Sequence, residues 1–440
     1  MTHYCLTDTI FALASGAGAA GVAVIRISGS EVQNVLKKIT GLSNPTPRHA
    51  YFKSICDLTG TVLDRGLVLY FKAPDSFTGE DIAELQIHGG RSVVRAVLRV
   101  LGDINGCRPA ERGEFSRRAV LNGKMDLTQA EGLLDFIHAD TDRQREQAFH
   151  QLSGDLKNLY ESWRGLLVRH MAYLEAFIDF PEEEIPALVL EGINHDVADL
   201  AQQITAHLDD NGRGQKLREG FQIALIGPPN AGKSSLINAL TKKDVAIVSA
   251  VAGTTRDVVE AHLDVDGFPV ILADTAGLRE QADLIEAEGI RRAVARAETA
   301  DLILNISDAQ KYPKANVLPE SVDPNNVIVV WNKADLASLP VSEMPVSALT
   351  GSGISELWQK IRSVLQDRFD GSNACALTHE RYRVALNEVL EALNRSLMID
   401  EIELKAEELR LAARAVGRIT GRIENDELLD IIFHQFCIGK

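Results

Sequence analysis

Cysteine is scarce in this chain of 440 residues: Cys5, Cys56, Cys107, Cys375 and Cys437 are scattered, odd in number and without a C-x-x-C pair. That excludes a disulfide framework and a cysteine-built zinc site, and it suits a reducing, cytoplasmic setting. Positive charge is also short. With 46 Lys and Arg against 62 Asp and Glu, the formal net charge is -16, which excludes a protein that coats nucleic acid through a general positive field. Any RNA contact has to be local or shared with a partner. No uninterrupted apolar run approaches the length of a bilayer span, so no membrane association is expected, and there are no internal repeats or long low-complexity tracts. The small, apolar stretch around Ile10 to Ile27 lacks a basic leader and is broken by Gly16, Gly18 and Gly21, so it reads as strand, loop and strand rather than a secretion signal. What is left, 45% hydrophobic and 25% charged, is the composition of two to four ordinary globular domains.

The stretch Phe221 to Ser235, FQIALIGPPNAGKSS, organises the rest. The apolar run Ile223 to Ile226 reads as a buried strand that breaks into a loop framed by Gly227 and Gly232, just before Lys233, Ser234 and a helical segment. This is the pattern of a phosphate-binding loop. Glycines let backbone N–H groups of Asn230, Ala231, Gly232, Lys233, Ser234 and Ser235 turn toward an anion. Lys233 supplies a point charge for the outer phosphates and Ser234 a hydroxyl for Mg²⁺.

Three further motifs follow in order. Gly253-Thr254-Thr255-Arg256-Asp257 lies in a polar loop before an expected strand at 258–265, where a threonine hydroxyl can complete the Mg²⁺ shell. Val270 to Gly277 places Asp274 at the end of a buried strand, able to hold the metal through water, with Gly277 free to swing toward the last phosphate and Thr275 and Ala276 among the nucleotide-binding positions. The strand Val327 to Trp331 ends in Asn332-Lys333-Ala334-Asp335. Asp335 can accept from N1–H and the 2-amino group of guanine, whereas adenine offers an acceptor there and would leave the carboxylate unpaired, a penalty of about 1–3 kcal/mol. Ser347-Ala348 adds a backbone contact to the guanine oxygen. Four motifs in this order specify GTP.

Residues 1–122 read as a small α/β domain: strands at 22–27, 66–71 and 82–87, helical patterns at 31–39 and 91–101. In the last strand Ile82, Glu84 and Gln86 share a face, so Glu84 is either a solvated strand residue or a ligand contact. Arg91, Arg95 and Arg99 recur at helical spacing, with Arg108, Arg112, Arg117 and Arg118 nearby: a solvated helix face or, less in keeping with the chain's acidity, a phosphate or RNA surface. From Asp126 to Leu208 the pattern is helical, with Leu127, Ala130, Leu133, Leu134 and Ile137 on one stripe. Residues 180–186 interrupt it with a turn, and it resumes after Thr378. Two helical blocks, each too one-sided to bury its stripe alone, flank an α/β block. The expected order is an N-terminal domain 1–122, a first helical block 123–215, a nucleotide domain 216–368 and a second helical block 369–440, the two blocks making one helical domain.

After Asp274-Thr-Ala-Gly277 stands Leu278, where signalling GTPases carry the glutamine that orients the attacking water. This departure resembles the tRNA-modifying GTPase family called MnmE or TrmE. So do Asn230 in the phosphate loop, SFTGEDIAELQIHGG at 76–90, RPAERGEFSRRAVLNGKMDLTQAEG at 108–132, DFPEEEIP at 179–186, GTTRD, DTAGLRE, NKAD and the terminal FCIGK. The resemblance implies a multidomain α/β plus all-α chain: a Ras-like P-loop GTPase domain inserted into a helical domain, with an N-terminal α/β domain that binds a folate and forms a homodimer. In the family, nucleotide domains activate each other on pairing, and K⁺ replaces an arginine finger, a term worth about 10³–10⁵ in rate. The matching positions are Asn230 for K⁺, with Ser249, Val251 and Thr254 in the loop (Ser249, Ala250, Val251, Ala252, Gly253, Thr254, Thr255) that closes over the ion. Ser234 and Thr255 match the Mg²⁺ ligands. Glu286, which alone would be an ordinary helix-start carboxylate, matches the catalytic acidic residue that positions the water.

Arg26, Glu84, Lys124 and Lys440 match positions that contact 5-formyltetrahydrofolate or methylene-tetrahydrofolate. A pterin has a guanine-like donor edge that suits a carboxylate, and the folate tail is anionic. The resemblance also implies a flavin-dependent partner of the MnmG/GidA type in a heterotetramer, tRNA as substrate, and an aminomethyl-type group added to C5 of wobble uridine 34. Cys437 is either a structural or a reactive thiol. A rival reading is a GTP-switched ribosome-assembly factor, whose relatives share GxPNxGKS, TT and NKxD but append a compact RNA-binding module that is not evident here.

Overall fold

The computed structural model describes residues 8–16, 18–180, 187–241, 260–274, 299–318, 322–340, 342–369, 376–422 and 426–439. The chain falls into two compact units, one of residues 1–134, 156–164 and 413–440, the other of 135–155 and 165–412.

In the first unit the glycine-broken apolar stretch forms β1 (Thr9–Leu13) and β2 (Ala20–Ser28), as its strand, loop and strand pattern predicts. β3 (Tyr51–Cys56), β4 (Val62–Phe71), β5 (Ile82–Gly89) and β6 (Cys107–Pro109) complete a six-stranded sheet in the order β3-β4-β5-β2-β1-β6, antiparallel except for the β1–β6 pair. Strand alternation sends Ala83, Leu85 and Ile87 to one face. There they join Ile25 and Ile27 under α1 (Val32–Thr40) and α2 (Arg91–Gly102), whose apolar positions Val32, Val35, Leu36, Val97 and Leu101 are buried. α1 stops where Gly41 turns left-handed at φ 68° and returns its N–H to Lys37 O. The opposite face carries Arg26 and Glu84 and is partly closed by Phe115 of α3 (Glu114–Leu121) and by Phe77.

Two of the arginines expected on a solvated face are instead drawn into an ion network, Arg118 fully buried and Arg108 partly so. Arg118, 2% exposed, reaches both oxygens of Glu80 (3.1 Å each) and Glu114 Oε1 (2.9 Å), while Arg108 takes Glu114 with a fork of 2.7 and 2.8 Å. Arg91, Arg95, Arg99 and Arg112 are exposed as expected, and Arg117 pairs with Asp430 at 2.9 Å. Arg118 lies one helical turn after Glu114 in α3, and Arg108 reaches the same carboxylate from β6.

The helical stripes assemble from both sides of the inserted block. Leu127, Ala130 and Leu134 of α4 (Leu127–His138) share a core with Leu429, Ile432, Phe433 and Phe436 from the C-terminal segment. In the second unit come α5 (Asp142–Ser153), opened by a reciprocal Thr141–Gln144 cap, then most of α6 (Asp155–Asp179), α7 (Ala187–Leu208) and α8 (Arg213–Glu219). The turn expected at 180–186 falls, beyond Phe180, outside the described residues. The nucleotide sheet has the order β11-β10-β7-β9-β8: β7 (Phe221–Ile226), β9 (Phe268–Asp274), β10 (Leu302–Asp308) and β11 (Val327–Asn332) are parallel and β8 (Glu260–Val265) is an antiparallel edge. One core joins this sheet to α9 (Lys233–Thr241) and α10 (Ile354–Phe369), a parallel sheet covered by helices as its apolar runs require. Helicity resumes at α11 (Glu380–Met398), next to the expected Thr378, followed by α12 (Ile402–Thr420) and α13 (Asp426–His434). Among the described residues no helix is long and apolar enough to cross a membrane.

Candidate functional site

The phosphate loop leaves the end of β7 and turns into α9. Two residues in it take left-handed backbone, Asn230 at φ 63° and Gly232 at φ 87°. Gly232 is required twice over, because a Cβ there would lie 2.3 Å from Asn332 Nδ2. At Gly227 a Cβ would meet Ile306 O at 2.3 Å, so both glycines hold the backbone where a phosphate can approach it. Lys233 is buried and donates Nζ–H to Gly227 O (2.8 Å) and Pro228 O (3.1 Å), which holds the ammonium across the loop. Asn230, Ser234 and Ser235 lie at the mouth, and all three are exposed. The donors, the charge and the cradle fit a polyphosphate.

The base-reading loop is tied to the phosphate loop through Asn332, which is 2% exposed: its Nδ2 donates to Ala231 O (2.8 Å) and its Oδ1 accepts from Ala348 N (3.1 Å). Ser347 Oγ donates to Asp335 Oδ1 at 2.6 Å and so fixes that carboxylate's rotamer. Lys333, at φ 63°, pairs Nζ with Asp308 Oδ2 at 2.7 Å, and this hydrogen bond is the main cause that holds the Asp308 carboxyl below its usual range. Asp308 ends β10, a strand whose role the sequence pattern does not single out.

A second site lies on the open face of the N-terminal sheet. Arg26 and Glu84 are cross-strand partners on β2 and β5, and Arg26 places Nε and Nη2 on the single oxygen Glu84 Oε1 at 3.1 and 2.9 Å. The guanidinium sits 5.3 Å from the Phe77 ring centroid and 5.9 Å from that of Phe115. Lys124 arrives from beyond α3 and runs along Gly79, where an added Cβ would fall 3.3 Å from its Cγ and Cδ. Arg26, Glu84 and Lys124 line one cavity of about 470 Å³ together with Arg48, Phe71, Asp75, Ser76, Phe77 and Ile82. Arg48, Phe71 and Phe77 are not singled out by the sequence pattern. Arg48 has a left-handed φ of 60° and bonds Asp75 O at 2.8 Å, a placement that no local pattern announces.

Residues 9–124 match the family model of the GTP-binding protein TrmE N-terminus, and residues 127–437 match that of the MnmE helical domain. A tRNA modification GTPase MnmE of Paramagnetospirillum magneticum is 50% identical over 99% of this chain and 100% of that protein. The chain belongs to the MnmE family of tRNA modification GTPases. MnmE proteins of Parvibaculum lavamentivorans and Rhodospirillum rubrum are each 48% identical, over 98% of this chain and 100% and 99% of theirs. Among solved structures, the G domain of FeoB from Methanococcus jannaschii is similar at 29% identity and a TM-score of 0.26, over 33% of this chain and 98% of that one.

As a member of the MnmE family the chain is a GTP hydrolase. Of the residues expected in its site, the structure brings together Asn230, Ala231, Gly232, Lys233, Ser234, Ser235, Asn332, Lys333, Asp335, Ser347 and Ala348 in one set of loops, and Arg26, Glu84 and Lys124 in one cavity. Asp274 closes β9 beside Leu225. Ser249, Ala250, Val251, Ala252, Gly253, Thr254, Thr255, Thr275, Ala276, Gly277, Glu286 and Lys440 lie outside the described residues.

Proposed function

We propose that the chain hydrolyses GTP in a K⁺-dependent manner as a homodimer. With a flavin-dependent partner, it adds an aminomethyl-type group to C5 of wobble uridine 34 in certain tRNAs, using a folate-borne one-carbon unit. The observation that carries this reading is the convergence of Arg26, Glu84 and Lys124 on a single cavity flanked by Phe71 and Phe77. A pterin edge offers adjacent N–H donors, and the Glu84 oxygen that Arg26 does not engage suits them. Lys124 and Arg48 supply positive charge for the anionic tail, and the phenyl rings supply flat apolar contact. When bound, the folate supplies the one-carbon unit. This chain's residues bind and orient it.

At the nucleotide, Lys233 and the N–H groups of residues 230–235 hold the phosphates and Asp335 selects guanine. Ser234 and Thr255 are the proposed Mg²⁺ ligands. Asn230, Ser249, Val251 and Thr254 are the proposed K⁺ ligands, and the ion would supply the positive charge that signalling GTPases take from an arginine. Glu286 is the proposed group that positions the attacking water, since Leu278 has no polar atom for that task. Asp274, Thr275, Ala276 and Gly277 would follow the last phosphate. GTP turnover then drives nucleotide-domain closure and reopening rather than the carbon chemistry.

The test has two arms. Turnover measured in K⁺ and in Na⁺ is expected to be higher in K⁺ by at least about tenfold, and equal rates would remove the ion from the mechanism. Purified wild-type protein is expected to retain reduced folate and Glu84→Gln to lose it with GTP turnover kept. Equal folate retention by both would overturn the assignment of the cavity.

A further inference from the structure

The nucleotide fold is an insertion, so the chain enters it once and leaves it once, and both crossings end on one side chain. Inbound, Arg218 lies in the last turn of α8, three residues before β7 begins at Phe221. Outbound, His379 caps the start of α11, ten residues beyond Phe369, the last residue of the nucleotide core. Asp135, in the last turn of α4, accepts from Arg218 Nε at Oδ1 (2.8 Å) and faces His379 Nε2 with Oδ2 (3.2 Å). Its side chain is 13% exposed, Arg218's 25% and His379's 12%, so the three form a partly dehydrated cluster. Burial alone would raise the Asp135 carboxyl, but the His379 contact and the Arg218 charge outweigh it and hold it below its usual range.

One face of α5 repeats the arrangement. Gln144, Gln147 and Gln151 are spaced three and four apart, the separations that line up on a helix. Gln144 Nε2 donates to Arg218 O (3.0 Å) and Gln147 Nε2 to Gly214 O (3.1 Å), both inbound. Gln151, 1% exposed, is outbound: it accepts from Thr378 Oγ1 (2.9 Å) and donates to Tyr382 Oη (3.1 Å). The two crossings also touch directly, since a Cβ on Gly214 would fall 2.4 Å from Leu377 O. Arg143 of α5 adds a side contact, its guanidinium 4.0 Å from the Phe268 ring centroid.

We propose that Asp135 is a positioning residue for GTP turnover: one carboxylate ties both crossings of the nucleotide fold together, a pivot that the glutamine face of α5 backs up. None of the groups that grip phosphate or base belongs to the pivot. Loss of the pivot therefore leaves nucleotide binding intact and lowers the fraction of time in which the nucleotide fold is presented productively. Because the glutamines and Arg143 remain, Asp135→Asn loosens the fold rather than releasing it.

The expected result for Asp135→Asn is a kcat for GTP lower by about threefold to tenfold, with KM and nucleotide affinity unchanged within about twofold. Amide exchange is expected to quicken at 214–221 and 377–382. The distance distribution between spin labels carried as non-natural residues at Lys360 and Gln202 is expected to broaden. Arg218→Gln and His379→Gln each give a fraction of the effect, and combining both with Asp135→Asn costs no more than Asp135→Asn alone. These single-crossing variants keep the proposal testable if Asp135→Asn fails to fold. An unaltered distance distribution, an unaltered kcat, a KM that rises as kcat falls, or additive losses in the triple variant would overturn the pivot. The readouts do not require K⁺ activation, so equal turnover in Na⁺ and K⁺ would remove that mechanism and leave this one standing.

Discussion

At the scale of residues, the proposed reading of guanine rests on one oriented side chain, Asp335. Its carboxylate is held by Ser347 Oγ at 2.6 Å, and Asn332, three residues earlier, binds the base-reading loop to the phosphate loop through Ala231 O and Ala348 N. A guanine edge presents two donors to that carboxylate. In Asp335→Asn one of the facing atoms becomes an N–H, which repels a donor and welcomes an acceptor. The variant is expected to lose about a hundredfold or more in GTP affinity and to gain affinity for xanthosine triphosphate, whose C2 carbonyl is an acceptor. Competition titrations with the two nucleotides check this. An unchanged preference for GTP would mean that Asp335 does not touch the base. Residues of this kind are legible because motif and function share a few consecutive positions. Arg48 and Phe71 are not, because they reach the N-terminal cavity from separate segments and only the folded sheet makes them neighbours.

At the scale of elements, the loop that walls the same cavity depends on a buried ion network. Glu80 takes two bonds from Arg118 and one from Ser28 Oγ (2.7 Å), while Asn122 Nδ2 holds Thr78 O at 2.7 Å, so α3 and β2 together fix residues 76–80. Removing Arg118 takes the guanidinium from Glu80, whereas Glu114 keeps its fork from Arg108. Arg118→Met is therefore expected to cost about 3–5 kcal/mol, read as a lower calorimetric midpoint, and adding Glu80→Gln should recover some of it. Glu114 also makes the network sensitive to acid. Its burial would raise the carboxyl, but hydrogen bonds from Arg108, the Glu111 N–H and Arg118 outweigh that and hold it below its ordinary value of 4.5. A depressed carboxylate stabilises the fold fully above that ordinary value. The contribution is lost as pH falls from there through the lower folded value. Glu114→Gln should flatten the stability profile in that acid window and nowhere above it.

The same scale explains which strands can be foreseen. β2, β4 and β5 carry alternating or continuous apolar patterns. β10 is interrupted by Asn305 and Ser307, which are 3% and 2% exposed and are satisfied by the loop that follows: Asn305 Nδ2 donates to Asn316 O at 2.9 Å and Ser307 Oγ accepts from Asn316 N at 2.8 Å. Buried polar residues whose partners lie outside the strand hide it from any periodicity argument. β3 escapes notice for the opposite reason, since as an edge strand it buries little beyond Ile55.

For the whole molecule the governing quantity is the formal charge of -16. A polyanion partner such as tRNA meets net repulsion from this chain, and two of the arginines that might have offset it, Arg108 and Arg118, are spent inside the fold. Binding therefore has to rest on a small set of local contacts. Each phosphate neutralised contributes about 0.7–0.9 to the slope of log affinity against log salt, so a footprint of three or four phosphates predicts a slope of about -2 to -4 for the isolated chain. Adding the proposed flavin-dependent partner should steepen it, because the missing positive surface would then come from that protein. Filter-binding or fluorescence titrations over a series of KCl concentrations, each repeated with the partner, measure both slopes. A slope near about -8 for the chain alone would mean that a continuous basic track exists despite the acidic total, and the division of labour in tRNA recognition would have to be redrawn.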